Sequence, residues 1–171
     1  MKSLSTLALT VAAVLVSAAH AGDEARFEMG TRSSMIIRGG SNLHDWHAQV
    51  NRVTGHVLVE ARDQGAARIA AAELSVAVAD LDAKNGIMNG KMRKALKEEE
   101  HPTITYVLQS AQLDQDGRRA RVMGTLQVAG VTRTLPGEVS VTLDGAKTFR
   151  VAGKLALAMS DFGVKPPTRR L

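Results

Sequence analysis

Apolar and polar residues alternate with a period of two through most of this chain, and this pattern restricts the fold more than any other feature. The alternation runs through residues 74–80, 104–108, 122–128, 139–143 and 149–157. Residues 34–38 and 46–60 predict one short and one long strand in addition. A period of two places every second side chain on one face of a strand, so the sequence predicts an all-β protein.

Short turn sequences separate the predicted strands, and Asp-Gly pairs supply the positive φ of tight hairpins. The turns are Asp63-Gln64-Gly65, Asp116-Gly117, Ala129-Gly130 and Asp144-Gly145. Strands joined by so few residues are antiparallel neighbours. Gly55, Gly124 and Gly153 lie inside strands, where glycine typically marks a bend or a close approach. We therefore expect a curved antiparallel sheet that closes into a barrel and so hides its edges.

Residues 85–99 depart from the β pattern. Apolar side chains recur every fourth position from Met88 to Leu96, which predicts one short amphipathic helix. Asn85 or Asn89 is suited to cap its N-terminus. The three glutamates at the C-terminal end of the segment oppose the helix dipole, so we expect the helix to fray early.

The N-terminus has the organisation of a signal peptide. Lys2 precedes an apolar stretch, Leu4 to Val16, and Ala19-His20-Ala21 gives the small-x-small cleavage pattern. A retained membrane anchor is the alternative, but it would need about 20 apolar residues. We predict cleavage after Ala21, so that residues 22–171 form a single exported domain outside the cytoplasm.

Two features of the composition exclude classes of function. The chain has no cysteine, which excludes disulfides, thiolate catalysis and lipoprotein acylation. Its formal net charge is +5, but the cations are scattered and are not interleaved with aromatic residues. We predict no nucleic-acid partner, and we interpret the charge as a solvated surface suited to transient contact with an anionic membrane.

The search for catalytic chemistry finds little. Asp45 and His47 share one strand face and could supply two metal ligands, but a site needs three or four. Ser41, His44 and Asp45 include the residue types of a triad, although closeness in sequence is no evidence for one. We predict no enzyme, no metal site and no cofactor. An enzyme acting on a lipid stays an alternative that would need a polar cluster at the barrel mouth.

The interior of the barrel is the remaining candidate site. Small eight-stranded barrels either fill their lumen with side chains or hold one small ligand. The strands carry Val, Leu, Ile and many alanines, and the whole chain has few aromatic residues. Two interpretations stay open: a binder of a flexible hydrocarbon, and a non-catalytic stress or interaction protein whose barrel is packed shut.

Four segments, in this order, resemble the YceI-like family of bacterial periplasmic proteins. They are residues 40–46 (GSNLHDW), 91–106 (KMRKALK followed by HPTITY), 126–132 (LQVAGVT) and 160–167 (SDFGVKPP). The resemblance implies an antiparallel, eight-stranded, lipocalin-like barrel with one helix around an apolar tunnel. It also implies that the ligand is a polyisoprenoid chain or an isoprenoid quinone, and it supplies no catalytic residues.

With this resemblance, strand parity assigns twelve residues to the apolar lining of the tunnel, and three polar residues to its rim. The lining residues are Trp46, Leu74, Val76, Val78, Ile104, Tyr106, Leu126, Val128, Val141, Val151, Leu155 and Leu157. The rim residues are His44, Asp45 and His47. An error of one residue in register would turn a whole strand's set outward.

The C-terminus differs from the family pattern. Members continue past the Pro-Pro segment into a final strand that helps to close the barrel, whereas this sequence stops at Leu171. We expect either that this last strand is missing or that the barrel closes in another way. An unclosed barrel exposes a strand edge and favours a homodimer.

Overall fold

The computed structural model describes residues 6–21, 24–39, 46–61, 67–144 and 148–165. Within these residues the chain forms eleven β-strands and one α-helix. They are β1 (Thr6–Ala21), β2 (Glu24–Met29), β3 (Ser34–Gly39), β4 (Trp46–Val50), β5 (Thr54–Ala61), β6 (Ala67–Ala77), β7 (Leu81–Asp82), α1 (Gly86–Ala95), β8 (Thr103–Leu113), β9 (Arg119–Val128), β10 (Val131–Asp144) and β11 (Thr148–Ala158). Short 3-10 helices at Val78–Asp80 and Met159–Phe162 follow β6 and β11.

The strands pair antiparallel around one interior, and they occupy eight positions in a ring. Three positions are each shared by two successive segments: β2 with β3, β4 with β5, and β6 with β7. The strands β8, β9, β10 and β11 follow in order, and β11 pairs with β1 to close the ring. The predicted antiparallel barrel with one short helix is confirmed.

The strand that closes the ring is β1. Its residues Thr6 to Val16 pair with β11, and its other edge pairs first with β3 and then with β2. Without β1, the strands would fall into a curled seven-stranded sheet and a small sheet of β3, β4 and β7. The segment coincides with the predicted signal peptide, whose removal stays a prediction about processing. In the whole chain it is a barrel strand, and it lies beside β11.

Glycine turns join the last strands as the sequence predicts. Ala129 and Gly130 have φ of 50° and 79°, the left-handed values that a two-residue hairpin requires. Gly117, with φ 69°, lies in the turn between β8 and β9, where the Asp114 carboxylate accepts hydrogen bonds from the backbone N–H groups of Arg118 and Arg119. The predicted turn residues 63–65 and 145 lie outside the described residues.

The predicted bounds of one strand were wrong, and the helix ends early as expected. The long strand predicted at residues 46–60 is two strands, β4 and β5, because the chain leaves the sheet pattern at residues 51–53. There the backbone N–H of Asn51 donates to the carbonyl of Asp80 at 2.8 Å. The helix predicted over residues 85–99 ends earlier, at Ala95, as the unfavourable acidic run led us to expect.

Candidate ligand-binding cavity

An apolar cavity of about 230 Å³ lies inside the barrel, between two clusters of buried side chains. One cluster lies at the end of the barrel that carries α1, and includes Val78, Leu81 and Phe162. The other lies at the opposite end, and includes Phe27 and Phe149. The barrel is therefore packed towards both ends and open in between.

The strands supply the wall of the cavity through their alternating geometry, because every second residue of a strand points to the interior. Their outward neighbours, such as Thr103, Val107 and Gln127, are exposed. The inward residues on β6, β8, β9 and β11 include Ala72, Leu74, Val76, Ile104, Tyr106, Leu108, Val122, Leu126, Val128, Phe149, Val151, Leu155 and Leu157.

The helix α1 covers one end of the cavity. Its apolar face contributes Met88, Met92, Ala95 and Leu96 to the lining. Asn85 caps the N-terminus of the helix, because its side-chain oxygen accepts a hydrogen bond from the backbone N–H of Met88 at 3.0 Å. This interaction satisfies one of the free N–H groups of the first turn, so it fixes the start of the helix over the barrel.

A group of hydrogen bonds around Asp82 ties α1 to the sheet. The Asp82 carboxylate accepts from the backbone N–H of Lys84 at 2.8 Å and from the side-chain amide of Asn89 at 3.1 Å. The Lys84 ammonium lies 2.9 Å from the same carboxylate. Together the Lys84 ammonium, the Asn89 amide and the Lys84 backbone N–H lower the pKa of Asp82 to about 2.

Aromatic packing closes the opposite end of the barrel. The rings of Phe27 and Phe149 lie 5.6 Å apart between their centroids, at a tilt of 37°. Phe149 contributes to the wall of the cavity, whereas Phe27, Val59 and Ala120 are buried beyond it. A ligand in the cavity therefore meets a packed apolar layer at this end.

Tyr106 is the polar aromatic residue of the cavity wall. Its ring packs against the backbone of Gly124 on the neighbouring strand, where any side chain would collide with the ring. Burial raises the pKa of the Tyr106 hydroxyl, so this group stays protonated at neutral pH. A protonated hydroxyl in an apolar wall can donate one hydrogen bond to a ligand oxygen.

Nine of the twelve residues predicted to line the tunnel lie in the cavity wall: Leu74, Val76, Ile104, Tyr106, Leu126, Val128, Val151, Leu155 and Leu157. Their contact with a ligand stays a prediction. Val78 and Val141 are buried but lie outside the wall. Val78 begins a 3-10 helix in which strand parity no longer applies, and Val141 packs in the cluster around Phe149. The side chain of Trp46 lies outside the described part of the structure.

Of the three predicted rim residues, His47 alone lies in the described part of the structure. His44 and Asp45 lie outside the described residues. His47 is exposed on β4, and its neighbour Ala48 is fully buried, so His47 points away from the interior. Its role at a rim stays a prediction. Within the described residues, no group of three or more acidic, histidine or cysteine side chains could hold a metal ion.

Sequence reasoning missed several parts of the wall, and three of them are described here. Met35 and Ile37 line the cavity from β3, a strand to which we assigned no lining residue. The sequence analysis used the methionines of α1 only to predict an amphipathic helix, yet Met88 and Met92 line the cavity. The third part is a pair of charged residues, Glu138 and Lys154, which are aligned across β10 and β11 and reach the cavity. Strand parity could have found the first part.

The closed antiparallel ring and its apolar interior cavity define the fold of a small binding protein. The sequence matches the YceI-like domain over residues 23–169. The chain therefore belongs to the YceI-like family, a family of binding proteins whose members are typically periplasmic. The earlier resemblance is confirmed. No helix in the described part of the chain is long and apolar enough to cross a bilayer.

A solved structure of a YceI protein agrees with the fold. The crystal structure of the YceI protein of Campylobacter jejuni matches with a TM-score of 0.57 and a sequence identity of 14%. The match covers 68% of this chain and 70% of that one. BcnA of Burkholderia cenocepacia is 12% identical, with a TM-score of 0.49, over 88% of this chain and 96% of that one. No curated protein is significantly similar in sequence.

Proposed function

We propose that the protein binds a long apolar chain, of the polyisoprenoid or isoprenoid-quinone type, and holds it inside the barrel as a periplasmic carrier. The observation that carries the proposal is the apolar cavity of about 230 Å³. A barrel whose only purpose was structural would gain stability by filling this space, since protein interiors are otherwise close-packed.

The size of the cavity supports a ligand of moderate length. On the same scale of cavity volume, one water molecule needs about 10–15 Å³. The cavity therefore has room for on the order of 15–20 carbon atoms. That corresponds to about three or four isoprene units. A branched aliphatic chain suits walls of Leu, Val, Ile and Met better than a rigid planar ligand would.

Burial of apolar surface alone provides enough free energy for binding, without directed polar contacts. Each buried methylene contributes about 0.8 kcal/mol, so one isoprene unit offers roughly 3–4 kcal/mol before costs. Losing free motion and ordering a flexible chain take back several kcal/mol. Two or three buried units leave a useful net affinity, and the Tyr106 hydroxyl can add one hydrogen bond to a quinone oxygen.

A non-catalytic stress or interaction protein with a packed barrel is the alternative. The open cavity counts against it, because that function would leave the space unexplained. An enzyme acting on a lipid would need a polar cluster at the cavity, and the described wall offers only Tyr106, Glu138 and Lys154. Replacing His44 and His47 by alanine tests the enzyme alternative, since unchanged ligand retention would argue against a catalytic rim.

The decisive experiment is gentle purification of the exported protein, followed by native mass spectrometry and lipid extraction. We expect one long-chain lipid per protein. Val151→Trp fills the cavity and should abolish retention, whereas Ala152→Trp, on the outward face of the same strand, should preserve it. An empty folded wild-type protein that also fails to take up added isoprenoid would refute the proposal.

A further inference from the structure

The wall of the barrel has a gap between β10 and β11. Backbone pairing of these strands runs from Asp144–Thr148 to Glu138–Lys154 and then stops. Beyond that point, and among the residues that the structure describes, β10 from Val131 to Gly137 pairs only with β9, and β11 from Leu155 to Ala158 pairs only with β1. We call this unpaired stretch the side gap.

Two features show that the side gap is built into the fold. Pro136 lies on its β10 edge, and proline occurs in strands where no partner needs its missing N–H. The second 3-10 helix bridges the far end of the gap, because the Arg133 side chain on β10 donates to the carbonyl of Asp161 at 2.9 Å. The gap is therefore bounded by strand pairing at one end and by this bridge at the other.

The cavity reaches the surface at the side gap. Elsewhere on these strands only inward-facing residues line the cavity, but at the gap the lining also includes the outward-facing Pro136, Glu138 and Lys154. Glu138 and Lys154 are the only charged residues in the lining that the structure describes. Within the described residues, α1 covers one end of the barrel and the Phe27 layer fills the other, which leaves the side gap as a route to the cavity.

The charges at the gap favour an anion. No described residue forms an ion pair or a hydrogen bond with the Lys154 side chain. Glu138, in contrast, lies 3.7 Å from the guanidinium of Arg119, and Arg121 is its register partner on β9. With Lys154, Arg119 and Arg121 against Glu138, the surface around the gap carries a net positive charge.

We propose that the side gap is the mouth of the cavity and that Lys154 binds the anionic head group, carboxylate or phosphate, of an amphiphile whose tail fills the barrel. This inference rests on the proposed function and narrows it, because it selects an isoprenoid chain with an anionic head group over a neutral quinone. Exposed apolar side chains at the outer lip, Pro136 and its register partner Met123, would contact the part of the tail nearest the head.

Titration calorimetry with three twelve-carbon probes tests the head-group preference: dodecanoate, dodecyl phosphate and neutral dodecanol. We expect both anions to bind the wild-type protein about three- to tenfold more tightly than dodecanol, and more so at low salt. Lys154→Met should remove this preference, so that the anions no longer bind more tightly than dodecanol. Lys91→Met, on the exposed side of α1 and away from the lining, is the matched control.

The outcomes separate the two proposals. If all three probes bind with equal affinity, or if Lys154→Met behaves like Lys91→Met, the role of Lys154 is refuted while the apolar binding function stands. If no probe and no isoprenoid binds the wild-type protein, the proposed function fails, and this inference fails with it.

The position of the mouth has its own test, which uses the absence of natural cysteine. A bulky maleimide attached to Pro136→Cys should slow association of a fluorescent fatty acid at least about tenfold, because it stands at the lip of the gap. The same label on Thr142→Cys, exposed further along β10, should not. Equal association rates for the two labelled proteins would refute a mouth at the side gap.

Discussion

The ring of Tyr106 lies on the backbone of Gly124, so that one residue of the cavity wall occupies the space that a side chain on the next strand would need. The two residues face the same interior from the paired strands β8 and β9. The glycine lets the wall approach closely, and the tyrosine fills the space and fixes the local shape of the cavity. Tyr106 therefore has a defined position before any ligand binds.

Gly124→Ala should destabilise the protein and displace the Tyr106 ring, because the added methyl collides with it. We expect a loss of about 1–3 kcal/mol in the free energy of unfolding, as overpacking typically causes. The control is Gly90→Ala, where nothing lies near the added methyl and alanine favours the helix by about 1 kcal/mol. Urea denaturation measures both, and equal midpoints for the two variants would contradict the prediction.

The stability that Asp82 provides by attaching α1 to the sheet should depend on pH. Because its folded pKa, about 2, lies below the unfolded value of 3.8, Asp82 stabilises the fold above pH 4. That contribution is lost as the pH falls from about 4 to about 2. The free energy of unfolding of Asp82→Asn should approach that of the wild-type protein over this range. A difference that does not change with pH would be evidence against this role.

The helix over the cavity should depend on its cap. Asn85→Ala removes the acceptor for the Met88 N–H, and we expect a loss of about 1 kcal/mol in stability. Asn85→Asp keeps a capping oxygen and should stay close to the wild-type protein. Hydrogen exchange of the first turn of α1 reports the effect directly. Equal exchange in both variants would mean that the bonds of Asp82 alone hold the helix.

The ring should open when β1 is removed. In a protein of residues 22–171, the amides of β11 that pair with β1 should exchange faster, and a peptide of residues 6–21 should restore their protection. A peptide of the same composition in scrambled order is the control. If these amides are fully protected without any peptide, another segment or a second copy covers the edge, and sedimentation would distinguish these cases.

The sequence predicted the cavity wall best within regular strands, where the direction of the side chains repeats. Strand parity placed Leu74, Val76, Ile104, Tyr106 and Leu126 towards the interior, and the cavity wall contains all five. This succeeds because the faces of a strand alternate regardless of what surrounds it. It fails where the strand ends: the parity that selects Val76 also selects Val78, which already belongs to a 3-10 helix.

Other parts of the site depend on which strands pair and for how long. Glu138 and Lys154 read as ordinary surface residues, and they reach the cavity only because pairing stops beside them. Val141 faces inward as parity predicts, but its depth along the barrel places it in the core rather than in the cavity wall. Depth and pairing length are tertiary properties, so a local pattern does not contain them.

The overlap of β1 with the predicted signal peptide would set an order of events for a chain that is exported and cleaved. The predicted cleavage motif Ala19-His20-Ala21 is paired residue by residue with Arg26, Ala25 and Glu24 of β2. A protease needs its target strand free of such partners, so a chain that folds first would hide its own cleavage site. Export and folding would then compete for the same sixteen residues. The faster process decides whether the barrel keeps a strand or gains an open seam.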